Sequence, residues 1–177
     1  DPDWVAEMMD TMVDLWIAVI RKALKSVKVD YATWWEDMCY NRGSLLSVRH
    51  FEEFMVPRYR KVTNVLKEYG VTINILDSDG DILKLVPGWL KAGINCMLPW
   101  EARYHDLDAV RKEFGKKMPI MGGIDKFALM KGKTGIKNEL KRLKDLLKDG
   151  GFIPTVDHFV PPEVPFANYV YLSLIHI

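Results

Sequence analysis

An aspartate and a histidine, Asp157 and His158, stand directly after a short apolar run, residues 152–156, and just before Pro161-Pro162. A carboxylate beside an imidazole can move a proton or hold a cation. Alone, such a pair is more simply explained as a cap and a surface loop residue. Carboxylates recur, however, at the ends of four other apolar runs: Glu36-Asp37, Asp77-Ser78-Asp79-Gly80-Asp81, Glu101 and Asp125. Crowded carboxylates repel, so at least one should hold its proton above the usual range, which suits a general acid. Asp79, Glu101 and His158 are therefore the candidate catalytic groups, and Glu36, Asp37, Tyr40 and Asp125 the candidate substrate contacts. Asp77, Asp79, Asp157 and His158 offer oxygens and one imidazole, donors for a hard or borderline divalent ion such as magnesium, manganese, iron(II) or zinc. The alternate acids at Asp77, Asp79 and Asp81 resemble a calcium loop. An EF-hand needs a Glu at loop position twelve, and counting from Asp77 puts Gly88 there.

The elements that position these groups follow from periodicity. Residues 3–28 predict a long helix, with Trp4, Met8, Met12, Leu15, Val19 and Leu24 as its packing face. Residues 29–35, 71–76, 94–98, 119–121 and 152–156 predict five strands. Helical stretches lie between them: most of 44–70, then 82–93 with a break at Pro87-Gly88, 105–114, 127–131 and 136–148. No hairpin signal joins one strand to the next, and alternating strand and helix predicts a parallel sheet. Polar clusters at all five strand ends are what the catalytic rim of a (β/α)8 barrel shows. An open doubly wound sheet is the second choice, but it normally carries a glycine-rich phosphate turn, and none occurs here. Five units are the C-terminal part of a TIM barrel, about three N-terminal strands short. Residues 1–171 are read as that partial domain. Residues 172–177 form an atypical tail without a charged face, expected to be a truncation or reading-frame artefact, so His176 is set aside.

The formal charge of +1 gives no electrostatic case for nucleic acid or an anionic membrane. No apolar run reaches the ~18–20 residues that span a bilayer. Cys39 and Cys96 lie far apart in apolar surroundings, as expected of reduced core thiols in a cytoplasmic protein. The lysines of residues 136–148 are a solvated face.

Taken in order, several motifs resemble the uroporphyrinogen decarboxylase superfamily over residues 29–171. They are Trp35-Glu36-Asp37-Met38 with Gly43-Ser44-Leu45-Leu46-Ser47, Asp77-Ser78-Asp79-Gly80-Asp81, Gly93-Ile94-Asn95 with Pro99-Trp100-Glu101, Gly122-Gly123-Ile124-Asp125, and Gly150-Gly151-Phe152-Ile153-Pro154 with Asp157-His158 and Asn168-Tyr169. The superfamily joins the haem-pathway decarboxylase to cobamide-dependent methyltransferases, all (β/α)8 barrels, and the resemblance implies an enzyme acting on a small molecule. In the methyltransferase branch a His-x-Cys pair and a last-strand Cys hold zinc, and a corrinoid protein is a partner. Asp77-x-Asp79 stands in place of His-x-Cys, and Asp157-His158 stands near the last ligand, so the thiolates that select zinc are missing. The decarboxylase branch uses no cofactor, and its last-strand histidine matches His158. Its substrate-gripping arginines fall outside the residues matched, while Asp77, Asp79, Glu101 and Asp157 would repel a polycarboxylate. The expectation is methyl transfer, demethylation or decarboxylation in an acid-lined site. The alternatives are a true uroporphyrinogen decarboxylase or a non-catalytic, corrinoid-partner barrel.

Overall fold

The computed structural model describes residues 1–175. Helix α1 (Pro2–Leu24) is capped by Asp1, whose side chain accepts from the Trp4 amide at 3.2 Å, and has Pro2 in its first turn. Strand β1 (Tyr31–Trp35) leads into a small antiparallel hairpin, β2 (Cys39–Tyr40) and β3 (Gly43–Ser44). One turn of α2 (Val48–His50) and a π-helical turn (Phe51–Met55) run into α3 (Val56–Glu68). Then come β4 (Ile73–Asp77), α4 (Val86–Ala92), β5 (Cys96–Trp100), α5 (Leu107–Phe114) and β6 (Ile120–Ile124). A 3-10 segment (Lys126–Lys131), α6 (Gly132–Arg142), α7 (Lys144–Asp149), β7 (Phe152–Val156) and α8 (Phe166–Ile175) complete the chain.

Five strands form one parallel sheet in the order β1-β4-β5-β6-β7. Every strand pairs with the next sheet strand in sequence, so the order never reverses. A doubly wound sheet reverses at its ligand crevice, whereas a barrel segment does not. The chain therefore has the partial (β/α) barrel fold expected from the alternation of its elements.

The pleat sorts the strand residues into two faces. The paired residues Trp34, Leu76, Met97, Ile120 and Phe152 form one rung across all five strands, and all are buried. They pack against the helix layer, in a core shared with Tyr59, Val62, Leu66, Trp89, Val110 and Ile136. The opposite face shows Tyr31, Trp35, Ile73 and Ile153, each about half exposed or more.

Several elements differ from the sequence expectation. Pro87 opens α4 instead of interrupting it, because a missing N–H is harmless in a first turn. The single helix expected over 136–148 is two helices meeting at Leu143. Strand β5 runs on through Pro99, and its pairing to β6 shifts between Met97 and Trp100. The hairpin β2–β3, which turns at Asn41-Arg42, has no counterpart in the sequence expectation because it sits inside a loop between two strands of the sheet. Helix α1 packs through Val13, Ile17, Ile20 and Leu24, while Trp4, Met8, Met12, Leu15 and Val19 are largely exposed. Helical spacing marks both apolar faces of such a helix and cannot say which one meets α3. Helix α8 continues to Ile175 with Leu172 buried; His176 lies outside the described residues. Cys39 and Cys96 are buried and unbridged, and burial pushes each thiol up to about 11.

Candidate active site

Because the strands are parallel and in register, their C-terminal ends form one rim. The Glu36 amide donates to the Asp77 carbonyl (2.8 Å), Ser78 to Leu98 (2.8 Å) and Asp157 to Ile124 (2.9 Å), extending the ladder into the loops. The two-residue pleat then separates the adjacent acids Glu36 and Asp37. Glu36 turns to the helix layer, where the Tyr59 hydroxyl donates to its Oε2 at 2.6 Å, and it lines an apolar cavity of about 270 Å³ with Met8, Met12 and Met55. Burial raises the Glu36 carboxyl, with Asp37 adding to the rise and the Tyr59 bond opposing it. Asp37 faces the other way, into the rim.

A cavity of about 500 Å³ opens at that rim, lined by Asp37, Cys39, Tyr40, Asn41, Asp79, Gly80, Glu101 and Tyr104. Four residues singled out from sequence, Asp37, Tyr40, Asp79 and Glu101, thus meet in one place. His158, from the β7 loop, meets the cavity-lining Asp79: its Nε2–H donates to Asp79 Oδ2 at 3.1 Å. An ionised carboxylate can only accept, so that nitrogen carries the proton and Nδ1 is left to exchange one. Both partners keep partial solvent contact, 29% for His158 and 41% for Asp79. Asp77 shares this side of the sheet, and its carboxyl is pushed up by burial and by Asp79 and Asp37, against the pull of His158.

Glu101 is held on both oxygens. The Gly80 amide donates to Oε1 at 2.9 Å, and Lys126 Nζ to Oε2 at 3.0 Å, with both side chains nearly buried. Gly80 itself has φ +82°, and a Cβ there would lie 2.7 Å from the Tyr40 backbone, so only glycine lets the β4 loop pass beneath the hairpin. Lys126 is a site residue that the sequence did not reveal, for it is one lysine among many and its partner lies 25 residues away. Tyr104 and the pair His105–Asp81 were also missed; His105 Nε2–H donates to Asp81 Oδ1 at 2.7 Å. Burial, with Glu101 and Asp81, raises the Tyr104 hydroxyl against Arg103 and Lys126.

Two expected site residues serve the scaffold. Asp157 is fully buried, its Oδ1 accepting the Lys126 amide and its Oδ2 the Ala102 amide, each at 3.0 Å. Burial raises its carboxyl although both amides oppose this. It ties the β5, β6 and β7 loops together, and its full burial gives it no solvent-open face. Asp125 caps the 3-10 segment through the Phe127 amide (2.9 Å) and borders a separate cavity of about 330 Å³ beside Arg103, Tyr104 and His105. Of the expected donors, Asp79 and His158 meet, but among the described residues no three His, Cys, Asp or Glu side chains are grouped to hold a metal ion. The arrangement as folded does not fit the zinc centre implied by the resemblance.

The family model for uroporphyrinogen decarboxylase (URO-D) matches residues 1–173. The chain belongs to that family. Among solved structures it is similar to a methyltransferase from Methanosarcina mazei, with a TM-score of 0.58 and 16% identity over 81% of this chain and 41% of that one. At this identity the likeness shows the fold, and the chain spans less than half the length of that methyltransferase. No curated protein matches the chain significantly. Within the URO-D family's barrel, the rim cavity lies at the strand C-terminal ends where barrel enzymes carry their chemistry. Among the described residues no helix is long and apolar enough to cross a membrane.

Proposed function

We propose that the rim cavity is the active site of an enzyme that works on a small molecule by proton transfer through Asp79 and His158, in a methyl transfer or demethylation or in a decarboxylation. The observation that carries this is the 3.1 Å contact between side chains 79 residues apart, delivered by the loops after β4 and β7 to one accessible spot beside a cavity. Asp79 fixes the imidazole's tautomer and stabilises its charged form, leaving Nδ1 as acid or base. In a decarboxylation that acid protonates the carbon that keeps the electron pair when carbon dioxide leaves. In a demethylation it protonates the heteroatom whose methyl passes to an acceptor, the role a corrinoid protein would fill. Uroporphyrinogen is the less favoured substrate, because among the described residues no lysine or arginine lines the cavity to meet its carboxylates.

The test is turnover of a panel of small methylated and carboxylated compounds, followed as methyl loss or carbon dioxide release. Asp79→Ala and His158→Gln should each lower the rate ~10²–10⁴-fold, the usual worth of a positioned acid–base group, with unchanged cooperative melting. Wild-type turnover in both variants would exclude the dyad.

A further inference from the structure

The lining of the rim cavity indicates the charge and size of what it takes. We infer that its ligand is an organic cation of the ammonium type, with a methylated nitrogen held between carboxylates and phenol rings. This rests on the rim cavity being the substrate site.

Three independent features point there. First, the charge balance is one-sided. Glu101 is neutralised by Lys126, and Asp79 has only the titratable His158, while Asp37 has no cationic partner and accepts a hydrogen bond from the indole N–H of Trp35 at 3.1 Å. Among the described residues no lysine or arginine lines the cavity. Second, two phenol rings, Tyr40 and Tyr104, line the same space, and Tyr40 is 62% exposed there. Aromatic faces attract cations through the ring quadrupole, and best when the cation is a weakly hydrated alkylammonium. Third, Asp37, Asp79 and Glu101 line about 500 Å³ of space, and among the described residues no three acidic, His or Cys side chains are grouped to coordinate a metal. A bare divalent ion needs oxygens at ~2.0–2.6 Å on several sides. Acids set around a roomy, ring-lined space suit a cation several ångströms across. Such a guest would also sit beside Asp37 and Asp79, the charges that push up the Asp77 carboxyl behind burial.

The probe is choline, titrated calorimetrically beside 3,3-dimethylbutan-1-ol, its uncharged isostere with carbon in place of nitrogen. Choline should bind at least about tenfold more tightly, and Asp37→Asn, an exposed position, should remove most of that preference while leaving the isostere unaffected. Tyr104→Leu should weaken choline ~2- to 10-fold, the scale of one cation–π contact. Equal binding of the two probes, or no choline binding at millimolar concentration by protein that melts cooperatively, overturns the proposal. Failure here with turnover still lost in His158→Gln would leave the proton-transfer site standing. Choline selectivity with unchanged turnover in both dyad variants would instead remove the dyad and leave a cation-binding cavity.

Discussion

Asp157 offers the sharpest test of how the rim is built. Its carboxylate is fully buried, and each oxygen accepts one backbone amide at 3.0 Å, from Ala102 after β5 and from Lys126 after β6. Asp157→Ala removes both acceptors and leaves two donors without partners. A hydrogen bond to a charged group is worth ~1.5–3 kcal/mol, but both amides are only partly buried and water can reach them, so the expected loss is about 2–4 kcal/mol. That is a large share of the ~5–15 kcal/mol that holds a typical domain. Asp157→Asn keeps one acceptor and should lose about half as much. Urea unfolding measures the loss, and amide hydrogen exchange locates it. Ala102 and Lys126 should exchange faster in both variants, with the strand amides of β4 little changed. Because Lys126 holds Glu101, the loosening should spread to the Gly80 amide. A loss below about 1 kcal/mol in Asp157→Ala, with Ala102 and Lys126 as protected as in the parent, would refute the assignment of Asp157 as the clasp of these loops.

Glu36 and Gly80 give two further tests. The buried Glu36 carboxyl holds its proton further up the pH scale when folded than when unfolded, where its ordinary value is 4.5. Its contribution is therefore full below that value and is lost as pH rises through the folded one. Glu36→Gln, which can still accept from Tyr59, should flatten the decline of the melting temperature on the neutral side of pH 4.5. An unaltered profile would show that Glu36 does not carry it. Gly80→Ala adds a Cβ 2.7 Å from the Tyr40 backbone at φ +82°, whereas Gly70→Ala meets nothing within 4 Å at φ +83°. Both bear the left-handed backbone cost of ~1–2 kcal/mol, so the drop in melting temperature beyond the Gly70 value measures the hairpin contact, and equal drops would contradict it.

The architecture was legible from sequence because it is written locally. Apolar runs such as Phe152–Val156, alternating with helical stretches and each followed by an acid, dictate parallel strands whose polar residues share one end. The candidate residues Asp37, Tyr40, Asp79, Glu101 and His158 follow from that rule alone. Their roles do not. Glu36 and Asp37 are adjacent carboxylates, yet the pleat sends one to Tyr59 in the helix layer and the other to the cavity, and the phase of a strand is fixed only when Trp34 pairs with Leu76 in the buried rung. Asp157 looked like His158's partner in chemistry because they are neighbours in sequence, but it is consumed by amides from two other loops. His158 instead meets Asp79, and Lys126 meets Glu101, across separations that no local spacing encodes. Sequence determined which end of the sheet would carry the acids, through the periodicity of single elements. Only the packed sheet, by bringing five strand ends level and closing the loops over one another, decided which acids are held by backbone amides and which line the rim cavity.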